Sequence, residues 1–338
     1  AAGLATIALA ILFTWNGASD DDSTISYKRL THQRGLVRSA RVSPDGQTVI
    51  YSAAWEGRPV QLFLQRLDSL DALPVELKPL HARVLSVSSR GEIAILLPPR
   101  PDKEMLPAFR SGILARIPLT GGTPRAIAEN VHDADWGPSG EHFALVRGVE
   151  NGTHLEYPAG KVLYQTAGAF NCVRVSPSGE LVAFFNYPFS NNNRGTVAIV
   201  TREGEMRTIS PEMENLTGLA WSPDGREIWI SGADEAGQAL FAFSLSGDMR
   251  VLRRSPGDVI LHDMTLDGNL LVGQGLFHLG FAALAPGERT ERDLSWMGAA
   301  FVTDISADGR HILFMRQDQM EYDAWLRRTD GSAPTRLG

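Results

Sequence analysis

The sequence predicts an all-β fold, a β-propeller of four-stranded antiparallel blades, and three observations carry that expectation. A turn of the type Ser-Pro-Asp-Gly recurs, its copies lie 39 to 49 residues apart, and each sits between short apolar runs. The fullest copy is residues 219–233, LAWSPDGREIWISGA. Proline presets φ at the second turn position, aspartate hydrogen-bonds its own backbone, and glycine accepts positive φ. Apolar runs flanking this tetrapeptide therefore form a tight hairpin.

The turn glycines are Gly46, Gly91, Gly140, Gly179, Gly225, Gly268 and Gly309, separated by 45, 49, 39, 46, 43 and 41 residues. One hairpin per such period is the signature of a four-stranded blade and is too long for leucine-rich or ankyrin repeats. Seven copies predict seven blades, with six as the alternative. Second strands follow each turn, for example over 48–53, 143–146 and 228–230, and several are apolar on both faces, as strands sandwiched between blades should be. Residues 206–209 and 249–252 read as outermost strands, and 27–31 resembles them. Placed ahead of the first inner strand, 27–31 is expected to close the ring by pairing in the blade of residues 312–315. The 49-residue interval holds a Pro-rich insertion over 98–112, read as a mobile loop, and 190–195 is a shorter loop of the same class.

Residues 1–15, AAGLATIALAILFTW, carry no charge, and the first ionisable side chain is Asp20. As a helix they would span about 22 Å, short of the roughly 30 Å hydrocarbon core. They are expected to be the end of a transmembrane helix that begins upstream, with Trp15 at the interface; a signal peptide and a buried helix are the alternatives. Residues 16–26 form an acidic polar spacer, and 27–338 form the propeller domain, expected to be monomeric.

A net charge of -7 and a pI near 5.7 give no basic face for nucleic acid. Cys172 is the only cysteine, so no intrachain disulfide or cysteine metal site exists, and it reads as a small buried hydrophobe. G-x-S-x-G, G-x-G-x-x-G and H-E-x-x-H are all missing from the sequence, and no catalytic residue, cofactor or metal site is assigned. Asp45, Asp224, Asp267 and Asp308 share one turn position, which backbone geometry explains without a ligand.

One column stands out when the inner strands are aligned on their turn glycines. Five residues before each glycine stand Arg41, Ser86, Asp135, Arg174, Ala220, Asp263 and Asp304, whereas the next column is apolar throughout. Alternation packs the apolar column between blades and lets the first column reach a central channel. Arg41 and Arg174 could clamp a carboxylate or phosphate there, and Asp135, Asp263 and Asp304 could meet a cation or an amine. The competing reading is a ring of mutual salt bridges. An unidentified protein or small ligand at the channel mouth is the expected partner.

The turn-and-strand unit over 27–338 resembles the WD40-like repeats of the TolB type. More narrowly, the apolar leader, YKRLTHQRGLVRSARVSPDGQTVIYSAAWEGRP, KVLYQTAGAF and the ending LRRTDGSAPTRLG resemble the extracytoplasmic propeller of bacterial transmembrane serine/threonine protein kinases. That resemblance implies a cytoplasmic kinase domain upstream of Ala1, a single-pass bacterial membrane protein, and a non-catalytic sensor or interaction propeller on the periplasmic side. A free periplasmic TolB-like scaffold and the gating propeller of a prolyl-oligopeptidase-like peptidase are the alternatives.

Overall fold

The computed structural model describes residues 4–14, 26–77, 81–99, 111–188, 194–279, 281–295, 299–318 and 321–337. All regular elements among them are β-strands. The chain divides into two compact units, one of Ala8–Gly275 and one of Ala1–Ile7 with Leu276–Gly338.

The turns fold as the tetrapeptide dictates. At the fullest copy, Gly225 N–H donates to the Ser222 carbonyl at 2.9 Å, and the Ser222 hydroxyl donates to Asp224 Oδ1 at 2.6 Å. That hydroxyl also accepts Glu227 N–H at 2.9 Å, while Arg226 N–H donates to Asp224 Oδ1 at 3.1 Å. The serine hydrogen bond is the main reason the Asp224 carboxyl lies below its usual range, and Asp45 and Asp308 repeat the arrangement. All seven turn glycines have φ between 66° and 80°, where any other side chain is strained.

In the larger unit, blade 1 runs from inner to outer strand through Gly35–Val42, Thr48–Trp55, Gln61–Arg66 and Ala72–Val75. Blade 2 uses Arg83–Val87, Glu92–Leu97, Gly112–Pro118 and the first half of Arg125–Trp136. The second half of that long strand opens blade 3, which continues through Phe143–Val149, Gly152–Glu156 and Val162–Thr166. Blade 4 holds Ala169–Val175, Leu181–Tyr187, Arg194–Thr201 and Met206–Thr208. Blade 5 holds Met213–Trp221, Glu227–Asp234, Gly237–Ser244 and Met249–Arg254. A sixth inner strand, Asp258–Met264, pairs with Leu270–Leu279.

The core lies between blades, which explains why the second strands are apolar on both faces. Phe185 and Ile199 of blade 4 pack with Leu219 and Phe241 of blade 5, and Ile50 of blade 1 packs with Val84 and Ile95 of blade 2. Each inner strand slips register once, at 37/39, 84/86, 131/133, 171/174, 214/218 and 261/263. Such bulges re-aim side chains, here just before the charged column.

Six of the seven predicted inner strands lie in the larger unit. Arg41 Nη1 donates to the His262 carbonyl at 2.6 Å and Val42 N–H donates to Asp263 Oδ2 at 2.9 Å, so the sixth inner strand is seated directly on the first. Leu271 of the sixth copy joins Val49 and Tyr51 of blade 1 in one apolar cluster. The seventh copy forms a sheet in the smaller unit, with strands Ala299–Ile305, His311–Asp318, Glu321–Arg328 and Thr335–Leu337.

The N-terminus also departs from expectation. Leu4–Thr14 is a strand rather than the end of a helix, and it pairs antiparallel with Ser26–Arg29, matching Ile11 to Arg29 and Phe13 to Tyr27. The segment around Tyr27, expected to pair in the blade of residues 312–315, pairs with this strand. A short apolar run containing Thr6, Ile7, Ile11 and Thr14 suits a buried strand as well as a helix, and periodicity alone does not separate the two. Among the described residues no helix is long and apolar enough to cross a membrane. Most of the acidic spacer, residues 100–110 of the Pro-rich loop and residues 190–193 of the shorter loop lie outside the described residues.

Candidate functional site

Aligning the inner strands on their turns brings six column residues together. Arg41, Ser86, Asp135, Arg174, Ala220 and Asp263 line one cavity of about 450 Å³, with Val42, Val87, Trp136, Val175, Trp221 and Met264 of the apolar column beside them. Asp304, the seventh member, belongs to the smaller unit, where its Oδ1 accepts the next amide, Ile305 N–H, at 2.8 Å.

Among the described residues no ion pair joins Arg41 or Arg174 to Asp135 or Asp263, so the competing ring of mutual salt bridges is not formed there. Instead the carboxylates hold the backbone of the following blade. Asp135 accepts the Ser86 hydroxyl at 2.5 Å and Val175 N–H at 2.8 Å, and Asp263 accepts Val42 N–H and Met264 N–H, both at 2.9 Å. Arg41 is buried and serves carbonyls: its Nε donates to Leu85 and its Nη1 to Ala40 and His262, each at 2.6 Å. These bonds join first, second and sixth inner strands. An inner strand of a propeller has few partners for its polar groups except its neighbours, and these side chains supply them.

Burial sets the protonation of the cavity wall. It pushes the Asp135 carboxyl up to about 7, against the opposing effect of the Ser86 and Val175 hydrogen bonds and the Arg41 charge. Asp263 is raised for the same reason. Burial with the nearby Arg41 charge pushes His262 down to about 3, so its imidazole is neutral. Among the described residues no group of three or more His, Cys, Asp or Glu is placed to hold a metal ion.

Comparison with known proteins bears on the fold. A solved TolB from Acinetobacter baumannii is 16% identical, with a TM-score of 0.57 over 79% of this chain and 64% of that one. A structure described as a TolB from Agrobacterium tumefaciens is also 16% identical, with a TM-score of 0.62 over 80% of this chain and 99% of that one. The fold is that of a TolB-like β-propeller. This chain spans less than two thirds of the Acinetobacter protein, and identity at this level speaks to fold alone. A family model described as eukaryotic translation initiation factor eIF2A matches residues 123–233, under half of the chain. No protein of curated function matches it in sequence.

Within the TolB-like propeller, several contributors to the contacts between blades carry no sequence signature beyond their register. Asp133 stands two residues before Asp135, on the same face, and accepts Val173 N–H at 3.0 Å. Ser231 accepts Leu261 N–H at 2.9 Å, performing for blades 5 and 6 what the aspartates perform elsewhere. Gly218 allows the same two blades to approach, since a Cβ there would lie 1.9 Å from the Leu261 carbonyl oxygen. Cys172 is half-buried with its thiol pushed up to about 12, an inert small side chain as expected.

Arg174 and Trp136 differ from the rest of the wall. Arg174 Nη1 donates to the Val173 carbonyl at 2.5 Å, but its buried Nε has no hydrogen-bond partner among the described residues. Trp136 Nε1 is likewise buried without one. Trp221, one column position shared with Trp136, donates its Nε1 to the Arg174 carbonyl at 3.0 Å. Trp136 instead stacks on Phe143 with ring centroids 3.6 Å apart, where blade 5 has Ile228 at the corresponding place.

Proposed function

We propose that the chain is a non-catalytic interaction propeller whose axial cavity receives a partner group, displayed outside a bacterial cytoplasmic membrane and tethered to a serine/threonine kinase domain encoded upstream. The observation that supports the reading is the cavity itself. Six inner strands cross-linked by buried hydrogen bonds wall it, and a rigid polar recess of this size suits recognition of a small group. Ser86, whose hydroxyl meets Asp135, is buried and also accepts Trp136 N–H at 3.1 Å, which fits stitching rather than nucleophilic attack. The kinase tether rests on the sequence resemblance of residues 27–59, of KVLYQTAGAF and of the ending LRRTDGSAPTRLG.

A free periplasmic scaffold of the TolB type is the second reading, supported by the fold and by the strand Leu4–Thr14. Reading the gene on both sides separates these roles. Kinase motifs before Ala1 are expected; an initiator Met with a basic stretch there overturns the tether and favours the scaffold, and a G-x-S-x-G motif after Gly338 favours a peptidase propeller. Purified residues 20–338 are expected to be monomeric and to show neither phosphotransfer nor peptide hydrolysis.

A further inference from the structure

The wall of the cavity is unbalanced in its hydrogen bonding. Its acceptors are engaged: both oxygens of Asp135 and both of Asp263 take donors from the protein. Its donors are not. Arg174 is 8% exposed and Trp136 is 7% exposed, both line the cavity, and each keeps a buried N–H without a partner among the described residues. Buried donors of this kind are rare in native structures and point to an acceptor supplied from outside.

The two arginines of the column show that the feature is specific. Arg41 uses its guanidinium on three backbone carbonyls of three strands. Arg174, at the same register in blade 4, makes one bond, to the carbonyl of the residue before it. Arg174 and Trp136 line the cavity from neighbouring inner strands, and Trp221, equivalent to Trp136 in blade 5, commits its indole N–H to protein whereas Trp136 does not. A guanidinium and an indole donor on one cavity wall suit a planar carboxylate, which accepts N–H bonds on both oxygens. The rest of the wall includes Val42, Val87, Val175, Trp221 and Met264 beside serines of the turns, and its apolar part suits an apolar body behind that head group.

We propose that the cavity binds a carboxylate attached to an apolar body, held by the Arg174 guanidinium and Trp136 Nε1. The inference rests on the reading of the chain as a binding propeller and names the chemistry of the bound group. A free small acid and the C-terminal carboxylate of a peptide share that chemistry, and the test distinguishes them. The raised Asp135 and Asp263 carboxyls favour an anionic guest further, since they lessen the negative charge facing it.

The test is a calorimetric titration of the 338-residue chain with N-acetylphenylalanine, its C-terminal amide, and a tripeptide ending in phenylalanine in acid and amide forms. Each acid is expected to bind at least tenfold more tightly than its amide, and a tighter tripeptide acid identifies a peptide terminus as the source. Arg174→Gln is expected to remove the preference for acid over amide with the melting temperature unchanged, Arg174→Lys to retain part of it, and Trp136→Phe to weaken acid binding severalfold. Equal binding of acid and amide, unaffected by R174Q, overturns the carboxylate assignment while leaving a binding cavity in place. Failure of every probe to bind overturns the proposed site, and the scaffold or kinase role then stands or falls on the gene reading and activity assays.

Discussion

Asp263 and Asp304 occupy the same register of successive inner strands, one residue before an apolar side chain and five before a turn glycine, yet they do different things. Asp263 has a neighbouring blade: its carboxylate takes Val42 N–H, and the surrounding apolar residues Leu261 and Leu271 are buried. Asp304, in the smaller unit, takes the amide of Ile305, the next residue of its own strand, among the described residues. The same local sequence thus yields a blade-to-blade clasp in one unit and a bond within the strand in the other. Asp263 acquires its clasping role from the blade beside it, which its position in the repeat alone does not state.

Close approach between blades is the first condition of that clasping, and removing it gives the largest expected effect. Gly218→Ala sets a methyl against the backbone of Leu261, which a flexible side chain cannot relieve. We expect a loss of about 3 kcal/mol by urea denaturation, the upper range for overpacking. Gly232→Ala, whose Cβ meets a movable Leu216 side chain at 3.1 Å, should cost clearly less. Equal losses would mean that the approach of blades 5 and 6 is not what Gly218 secures.

The carboxylates give the next effect. Asp263→Ala strands Val42 N–H and Met264 N–H away from an acceptor and should cost about 2 kcal/mol, whereas Asp304→Ala should stay within about 0.5 kcal/mol. A substantial loss from D304A would show that the seventh copy is clasped as well, and would erase the contrast.

A smaller effect appears in pH dependence. The folded-state pKa of Asp135, about 7, lies above its ordinary value of 3.8, so the folded protein holds that proton more tightly than the unfolded chain. This contribution is complete below about pH 4 and is lost as pH rises through 7, with Asp263 adding in the same direction. Between pH 6 and 8 the wild-type protein should lose about 1 kcal/mol relative to Asp135→Asn, measured by denaturation at each pH. Parallel curves for the two proteins would show that the Asp135 carboxyl does not titrate in this range.

The repeat was readable because its turns are local. Ser222, Asp224 and Gly225 bond within six residues of one another, so their geometry is written in the tetrapeptide. Alignment on the turn glycines also placed Arg41, Asp135, Arg174 and Asp263 on one cavity, because alternation along a strand fixes which side chains share a face. The partners were not readable. Val42 meets Asp263 across 221 residues of sequence, and nothing in either segment states whether the sixth or seventh copy will sit against the first. The register slips before the column were hidden for a similar reason, since each depends on the pairing of two strands rather than on either alone. Leu4–Thr14 was ambiguous because an apolar run without alternation satisfies a helix and a buried strand alike.

The central claim is that the column divides by role, with Arg41 holding the ring together and Arg174 facing a guest. Urea denaturation of Arg41→Gln against Arg174→Gln tests it most directly, because residue type and register are the same. Arg41→Gln should lose about 2 kcal/mol as three carbonyls lose their donor, and Arg174→Gln should change stability by less than about 0.5 kcal/mol. Equal losses from the two variants, or the larger loss from Arg174→Gln, would contradict it.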